Sequence, residues 1–393
     1  MKNLAVLYYR IALMLLSITS SAAYAQHSIR IQVTGIPALH KEDAIFVAGN
    51  FNSWNPGSPA FELKRNGGKL ELLIPGLKDD VYEFKFTRGS WNKVACAASG
   101  ADVGNNTIRL SSDTTISYTI EAWKDDFAVV EKKHTASRNV AVMDTAFFIP
   151  QLNRYRKIWI YLPPSYHSSK KNYPVLYMHD GQNLFDEYTS GFGEWGVDEC
   201  LDSIMQDGKN ECIVVGIENG PKRLNEYNPF DNERFGKGEG RSYAAFLAET
   251  LKPFIDGRYR TLKDRTNTVI AGSSMGGLIS YYTQLAYPAV FGKAGIFSPA
   301  FWTAPGIVAA TDSLAKSANG KFFFYMGGLE GDEYMNDMYE VMQQLGTGSS
   351  ALIYSVTDPS GSHNESAWRK WFPEFFRFIM ADWTNYVIRT EED

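Results

Sequence analysis

From His27 to about Trp123, apolar and polar positions alternate in short runs: "IRIQVTGI", "DAIFVAGNF", "KLELLIPG", "VYEFKFTRGSW" and "TTISYTIEAW". A period of two marks strands with one face in a core and the other in water. Clusters of Gly, Asn, Asp and Pro separate the runs at the intervals of an all-β sandwich. From Val140 the rhythm changes. Strand-like runs ("KIWIYLP", "YPVLYMHD", "ECIVVGIENG", "NTVIAGS", "KAGIFSP", "KFFFYMGG", "ALIYSVTD") alternate with segments of helical spacing such as "SYAAFLAETLKPFIDGRY". That alternation predicts a mostly parallel sheet with helices on both faces. The charged, poorly patterned stretch 124–139 reads as a linker. The chain thus divides into a β module over 26–123 and an α/β domain over 140–393, a division that a length of 393 residues favours.

The first 25 residues have the pattern of a signal peptide. Lys2 and Arg10 precede or flank a short apolar stretch, Ile11 to Ile18, and Ala23-Tyr24-Ala25 places small residues at a cleavage site. The apolar run is shorter than the roughly 18 residues that span a bilayer. An exported protein, periplasmic or secreted and beginning near Gln26, is expected, with no membrane span. No cysteine follows the cleavage site, which disfavours a lipid anchor there. Of three cysteines, Cys200 and Cys212 are near enough in sequence to bridge, leaving Cys96 over; three buried small apolar side chains are the alternative. No spacing resembles a metal site. With a net charge of −5 and no basic block, a nucleic-acid partner is not expected. An aromatic content of 14% suits carbohydrate or aryl ligands as well as a filled core.

"NTVIAGSSMGGLISYY" joins a β-branched run to a helical one through Gly272-x-Ser274-x-Gly276. In that context the motif is a nucleophile elbow. The glycines permit a tight turn, and the serine is lifted above the sheet edge with a helix N-terminus behind it. A serine hydroxyl needs a base. In this strand–elbow–helix arrangement the order along the chain is nucleophile, acid, histidine. Of six histidines only His363 follows Ser274, in the loop "DPSGSHNESAW". The acid is expected just after "KFFFYMGG", where Glu330 comes first and Asp332 is its rival. Two backbone N–H groups should receive the oxyanion. They are expected from Met275, after the nucleophile, and from Gln182 in "HDGQN" after an earlier strand; His179 beside that loop is read as structural.

"YLPPSY", "YPVLYMHDGQNLFD", "EWGVDE", "AGSSMGGLISYY" and "FSPAFW" resemble the putative-esterase (esterase D-like) family of α/β hydrolases, over about residues 140 to 385. The family includes feruloyl and acetyl-xylan esterases of carbohydrate esterase family 1, siderophore trilactone esterases, S-formylglutathione hydrolases and mycolyltransferases. The resemblance implies an α/β-hydrolase fold and an acid in a Gly-x-x-Asp/Glu segment. Gly327 to Glu330 fits that segment and favours Glu330. Upstream, "VAGNFNSWNPG", "FEL", "VYEFKFTRGSWNKV" and "GNNTIRL" resemble an immunoglobulin-like early-set or starch-binding module, in which Trp54 and Trp91 would offer flat rings to a glycan.

Loops at strand ends collect binding residues in open α/β sheets. On that ground Arg223, Asn225 and Glu226 in "NGPKRLNEYNPF" and Trp302 in "SPAFW" are substrate-binding candidates. The expected activity is serine-esterase hydrolysis of acetyl or feruloyl esters on carbohydrate, with no metal or organic cofactor. Acyl transfer to a sugar hydroxyl, siderophore-ester hydrolysis and glycan binding without catalysis are the alternatives.

Overall fold

The structure is a computed structural model that describes residues 26–127 and 132–381; the expected signal segment lies outside them. Two compact units divide between residues 131 and 132.

The first unit holds β1 (His27–Gly35), β2 (Phe46–Gly49), β3 (Lys64–Asn66), β4 (Lys69–Leu77), β5 (Asp80–Thr87), β6 (Ala95–Cys96), β7 (Asn106–Leu110), β8 (Thr114–Thr119) and β9 (Ala122–Trp123). They form sheets in the orders β3-β4-β1-β8 and β2-β5-β7, with β6 and β9 paired separately. The alternation in the sequence sets which side chains turn inward. Ile29, Ile31 and Val33 of β1 share one core with Leu70, Leu72 and Ile74 of β4 and with Phe84 and Phe86 of β5.

The second unit is built on eight strands: β10 (Val140–Ile149), β11 (Arg154–Tyr161), β12 (Val175–His179), β13 (Ile213–Ile217), β14 (Thr268–Ser273), β15 (Lys293–Phe297), β16 (Lys321–Gly327) and β17 (Leu352–Asp358). Their order is β10-β11-β13-β12-β14-β15-β16-β17. The first two strands are antiparallel to their neighbours, and every pairing from β13 onward is parallel. The helices are α1 (Val197–Ile204), α2 (Arg223–Glu226), α3 (Gly240–Phe246), α4 (Lys252–Arg258), α5 (Met275–Ala286), α6 (Ile307–Leu314), α7 (Asp332–Gly348) and α8 (Glu365–Met380). Every residue of β12 to β16 is buried. These strands read as continuous apolar runs because one face meets the core around α3 and α5 and the other meets the core around α1 and α8. Parallel strands that all point one way bring their C-terminal ends, and the loops that follow, to one edge.

The stretch 124–139 is tied at both ends. Lys124 Nζ donates to the Gly100 carbonyl (3.0 Å) and Asp125 pairs with Arg88 (2.5 Å) in the first unit. In the second, His134 meets Asp186 (2.8 Å) and Asn139 donates to Asp202 (2.7 Å). Its charges look solvated in the sequence because their partners lie tens of residues away. Residues 128–131 lie outside the described residues. Cys96, Cys200 and Cys212 are all free thiols, so of the two alternatives for the cysteines the Cys200–Cys212 bridge is absent. Burial pushes the Cys200 thiol up to about 11. Among the described residues no helix is long and apolar enough to cross a membrane.

Candidate active site

β14 ends at Ser273 and α5 begins at Met275, so Ser274 alone makes the turn, with φ 58° and ψ −122°. A positive φ on a residue with a Cβ is strained and needs its surroundings to hold it. Here Ser274 N donates to Phe297 O (2.9 Å), while Ser274 O accepts from Ala300 N and Leu278 N (both 3.1 Å). The glycines answer to space. A Cβ on Gly272 would lie 2.9 Å from the Gly276 carbonyl carbon, and one on Gly276 would lie 3.2 Å from His179 Cβ. Ser274 keeps partial exposure at the corner. Met275 is the first residue of its helix, so its N–H has no acceptor within the helix.

His363 Nδ1 lies 2.7 Å from Glu330 Oε2, with the Glu330 side chain 3% exposed and the His363 side chain 46% exposed. Asp332, the rival acid, is exposed at the start of α7. The other Glu330 oxygen, Oε1, accepts from Gly327 N (2.8 Å) and Ser298 Oγ (2.6 Å). Ser298 Oγ in turn accepts from Trp368 Nε1 (2.8 Å), and the Trp368 ring meets the His363 ring edge to face at 5.1 Å. The loop carrying His363 is anchored from behind. Asp358, at the end of β17, accepts from Lys370 (2.6 Å), Trp371 (2.9 Å) and Ser360 (2.9 Å), and these bonds hold its carboxyl below the ordinary range.

The loop after β12 turns at Asp180 (φ 57°) into a 3-10 stretch, Gly181–Asn183. Gly181 packs so closely on β13 that a Cβ would lie 2.7 Å from the Gly216 carbonyl carbon. Gln182 is fixed at both ends: its side-chain oxygen accepts from Asn219 N (3.2 Å) and its carbonyl from Thr189 Oγ1 (2.8 Å). His179 is buried, with Nδ1 3.2 Å from Tyr243 Oη, and burial depresses its pKa to about 3. It is a neutral packing residue beneath the elbow.

Three expected substrate-binding residues have other work. Arg223 is engaged in a two-point pair with Asp180, Nε to Oδ1 at 2.7 Å and Nη2 to Oδ2 at 2.8 Å. Burial alone would raise the Asp180 carboxyl, but the guanidinium holds it low. Asn225 Nδ2 donates to the carbonyls of Phe235 and Lys237, closing its own loop. Glu226 is buried between Arg154 (2.8 Å) and Arg156 (2.5 Å). For Arg223 and Glu226 these partners lie 43 or more residues away, where no local pattern in the sequence shows them. Trp302, the fourth candidate, lies at the surface. It is 40% exposed, and its ring lies 5.9 Å from that of Phe235 and 6.1 Å from that of Tyr334. In the first unit Trp91 is 44% exposed and its ring centroid lies 6.3 Å from that of Trp54.

Sequence reasoning missed Ser298, although "FSPAFW" contains it, and missed Glu365 and Trp368 within "HNESAW". Their partners are set by strand order, which no local motif carries. Among the described residues, Glu194, Asp198 and Glu199 also bring carboxylate oxygens within 4.8 Å of one another. Thr135 Oγ1 and Arg369 donate to Glu194, and Ser137 N donates to Asp198. Burial pushes the Asp198 carboxyl well above the ordinary range.

Residues 149–379, well over half of the chain, match the family described as "Putative esterase". The chain belongs to that family. It is a carboxylic-ester hydrolase with the α/β-hydrolase fold. The esterase is 30% identical over 185 residues to the uncharacterized protein YbbA of Bacillus subtilis, covering 45% of this chain and 70% of YbbA. It is 24% identical over 234 residues to an endo-1,4-beta-xylanase/feruloyl esterase of Xylanibacter ruminicola, covering 58% of this chain but only 30% of that enzyme. A solved enterobactin esterase from Shigella flexneri has a similar fold, with a TM-score of 0.51 at 13% identity over 86% of this chain and 87% of that one.

Proposed function

We propose that the protein is an exported serine esterase acting on acetyl or feruloyl esters of carbohydrate. Ser274 attacks the ester carbonyl. His363 takes the hydroxyl proton and returns it to the leaving alcohol, while Glu330 holds the imidazole in the productive tautomer. The N–H groups of Met275 and Gln182 stabilise the oxyanion, and water then hydrolyses the acyl-enzyme by the same route. The chemistry asks for no metal or organic cofactor.

The observation that carries the mechanism is the 2.7 Å contact between His363 Nδ1 and a buried Glu330 carboxylate, in a unit whose elbow presents Ser274. With Nδ1 engaged, the ring has Nε2 left for a serine proton. Support for a carbohydrate ester comes from the exposed Trp91 beside the half-buried Trp54, on a module read as an immunoglobulin-like sandwich. The partial likeness to a xylanase/feruloyl esterase agrees with it.

The test is a panel of acetylated and feruloylated oligosaccharides, short aryl esters and a catecholate trilactone, run with the native chain and Ser274→Ala. Turnover of the sugar esters by the native chain alone is expected. Preference for the trilactone would overturn the carbohydrate reading and leave the serine mechanism standing. Acylated sugar formed from an added acceptor would identify a transferase instead.

A further inference from the structure

The N-terminal turn of α8 does more than follow the histidine loop. Glu365, its first residue, is 6% exposed, and its Oε1 accepts from Asn183 Nδ2 at 3.1 Å. Asn183 ends the turn that contains Gln182. Its amide cannot be flipped without loss, because its Oδ1 accepts from Gly191 N (3.0 Å). Its backbone is committed too, with N donating to Asp180 O (2.8 Å) and O accepting from Trp195 N (2.8 Å). The loop beyond packs beside this residue, since a Cβ on Gly193 would lie 3.8 Å from Glu365 Cβ. Glu365 therefore stands two residues after His363 in sequence while its side chain grips the opposite wall of the site.

We propose that Glu365 is a positioning residue that holds the Gly181–Asn183 turn in register with the His363 loop through Asn183. The proposal rests on the serine-esterase reading of the site. The carboxyl works best uncharged. A negative charge buried against the turn that carries Gln182 would oppose the negative charge that develops on an oxyanion held by that turn. Its surroundings favour the neutral acid. Burial pushes the Glu365 carboxyl up to about 7; its own backbone N–H pulls against this, the charge of Asp180 just after β12 adds to it, and His363 and the Asn183 bond oppose it more weakly. Arg223 of α2 faces the same region but is paired with Asp180. As the pH rises through that range Glu365 loses its proton, and the turnover number should fall with it.

The experiment measures kcat and KM on a short aryl acetate from about pH 5 to about pH 9 for the native chain, Glu365→Gln, Glu365→Ala and Asn183→Ala. Glu365→Gln keeps an acceptor for Asn183 and cannot ionise. It should retain kcat within about threefold at pH 6 and lose the alkaline decline. Glu365→Ala and Asn183→Ala should lower kcat by about tenfold or more, with KM little changed, because a displaced donor weakens transition-state binding. An alkaline decline in Glu365→Gln identical to that of the native chain overturns the proposal. So does full kcat in both alanine variants. Should the alanine variants fail to fold, the glutamine profile decides by itself. Ser274→Ala is run alongside: residual turnover there sinks the serine-esterase reading itself, whereas a dead Ser274→Ala with unresponsive Glu365 variants sinks only this inference.

Discussion

Ser298 gives its hydroxyl proton to Glu330. Its oxygen already accepts from Trp368 Nε1 at 2.8 Å, so the remaining hydrogen points along the 2.6 Å contact to Glu330 Oε1. Glu330 thereby receives Gly327 N and Ser298 Oγ on one oxygen and presents the other to His363.

Ser274→Ala and His363→Ala should each lower kcat on a short aryl ester by on the order of 10⁴ or more. Thermal unfolding should barely change, since neither side chain is packed in a core. Retained turnover in either folded variant would sink the mechanism.

Glu330→Gln should cost on the order of 10³ to 10⁴ in kcat, because an amide cannot fix the histidine tautomer in the same way. Asp332→Asn should leave kcat near native. Ser298→Ala removes one charge-assisted bond and belongs between them, at a loss of roughly ten- to a hundredfold. A larger effect at Asp332 than at Glu330 would reverse the assignment.

Glu226→Ala should destabilise the fold by about 3 kcal/mol or more, because it strands the buried Arg156 charge, while Arg154 keeps its two-point pair with Glu239. KM for a small ester should stay near native below the shifted melting temperature. A raised KM at unchanged stability would instead mark Glu226 as a substrate ligand.

Asp198 gives a pH test of stability. Burial raises its folded-state pKa above the unfolded value, so the stability it contributes is full below the unfolded pKa and lost as pH rises through the folded one. Asp198→Asn keeps an acceptor for Ser137 N and carries no charge. Its melting temperature should match that of the native chain near pH 4 and exceed it increasingly towards pH 8. A constant difference across that range would show that the group is ionised throughout.

Trp54→Ala and Trp91→Ala, in the full-length chain, should leave small-ester kinetics unchanged. Activity on an insoluble glycan ester should fall by about tenfold, if the rings tether the catalytic unit to its substrate. Unchanged polymer activity in both variants would remove the main support for a carbohydrate substrate.

Much of this was legible along the chain because it is local or periodic. The switch from alternating runs to fully apolar ones foretells strands with one covered face before Trp123 and strands covered on both faces from β12 to β16. Gly272, Ser274 and Gly276 announce their turn because a strand, three small residues and a helix leave the backbone one sterically open path. His363 follows from order alone. Tertiary structure decided the rest, for the reason that hydrogen bonds and ion pairs are satisfied across space. Arg223, Asn225 and Glu226 read as a loop of free polar side chains, and only the fold brings Asp180, the Phe235 and Lys237 carbonyls, Arg154 and Arg156 to them. Glu330 and Asp332 are nearly equivalent in sequence, yet only the side chain at the end of β16 meets the loop that follows β17. Ser298, Trp368, Asn183 and Glu365 carry no motif of their own, because what each does depends on which strand ends the parallel sheet sets side by side.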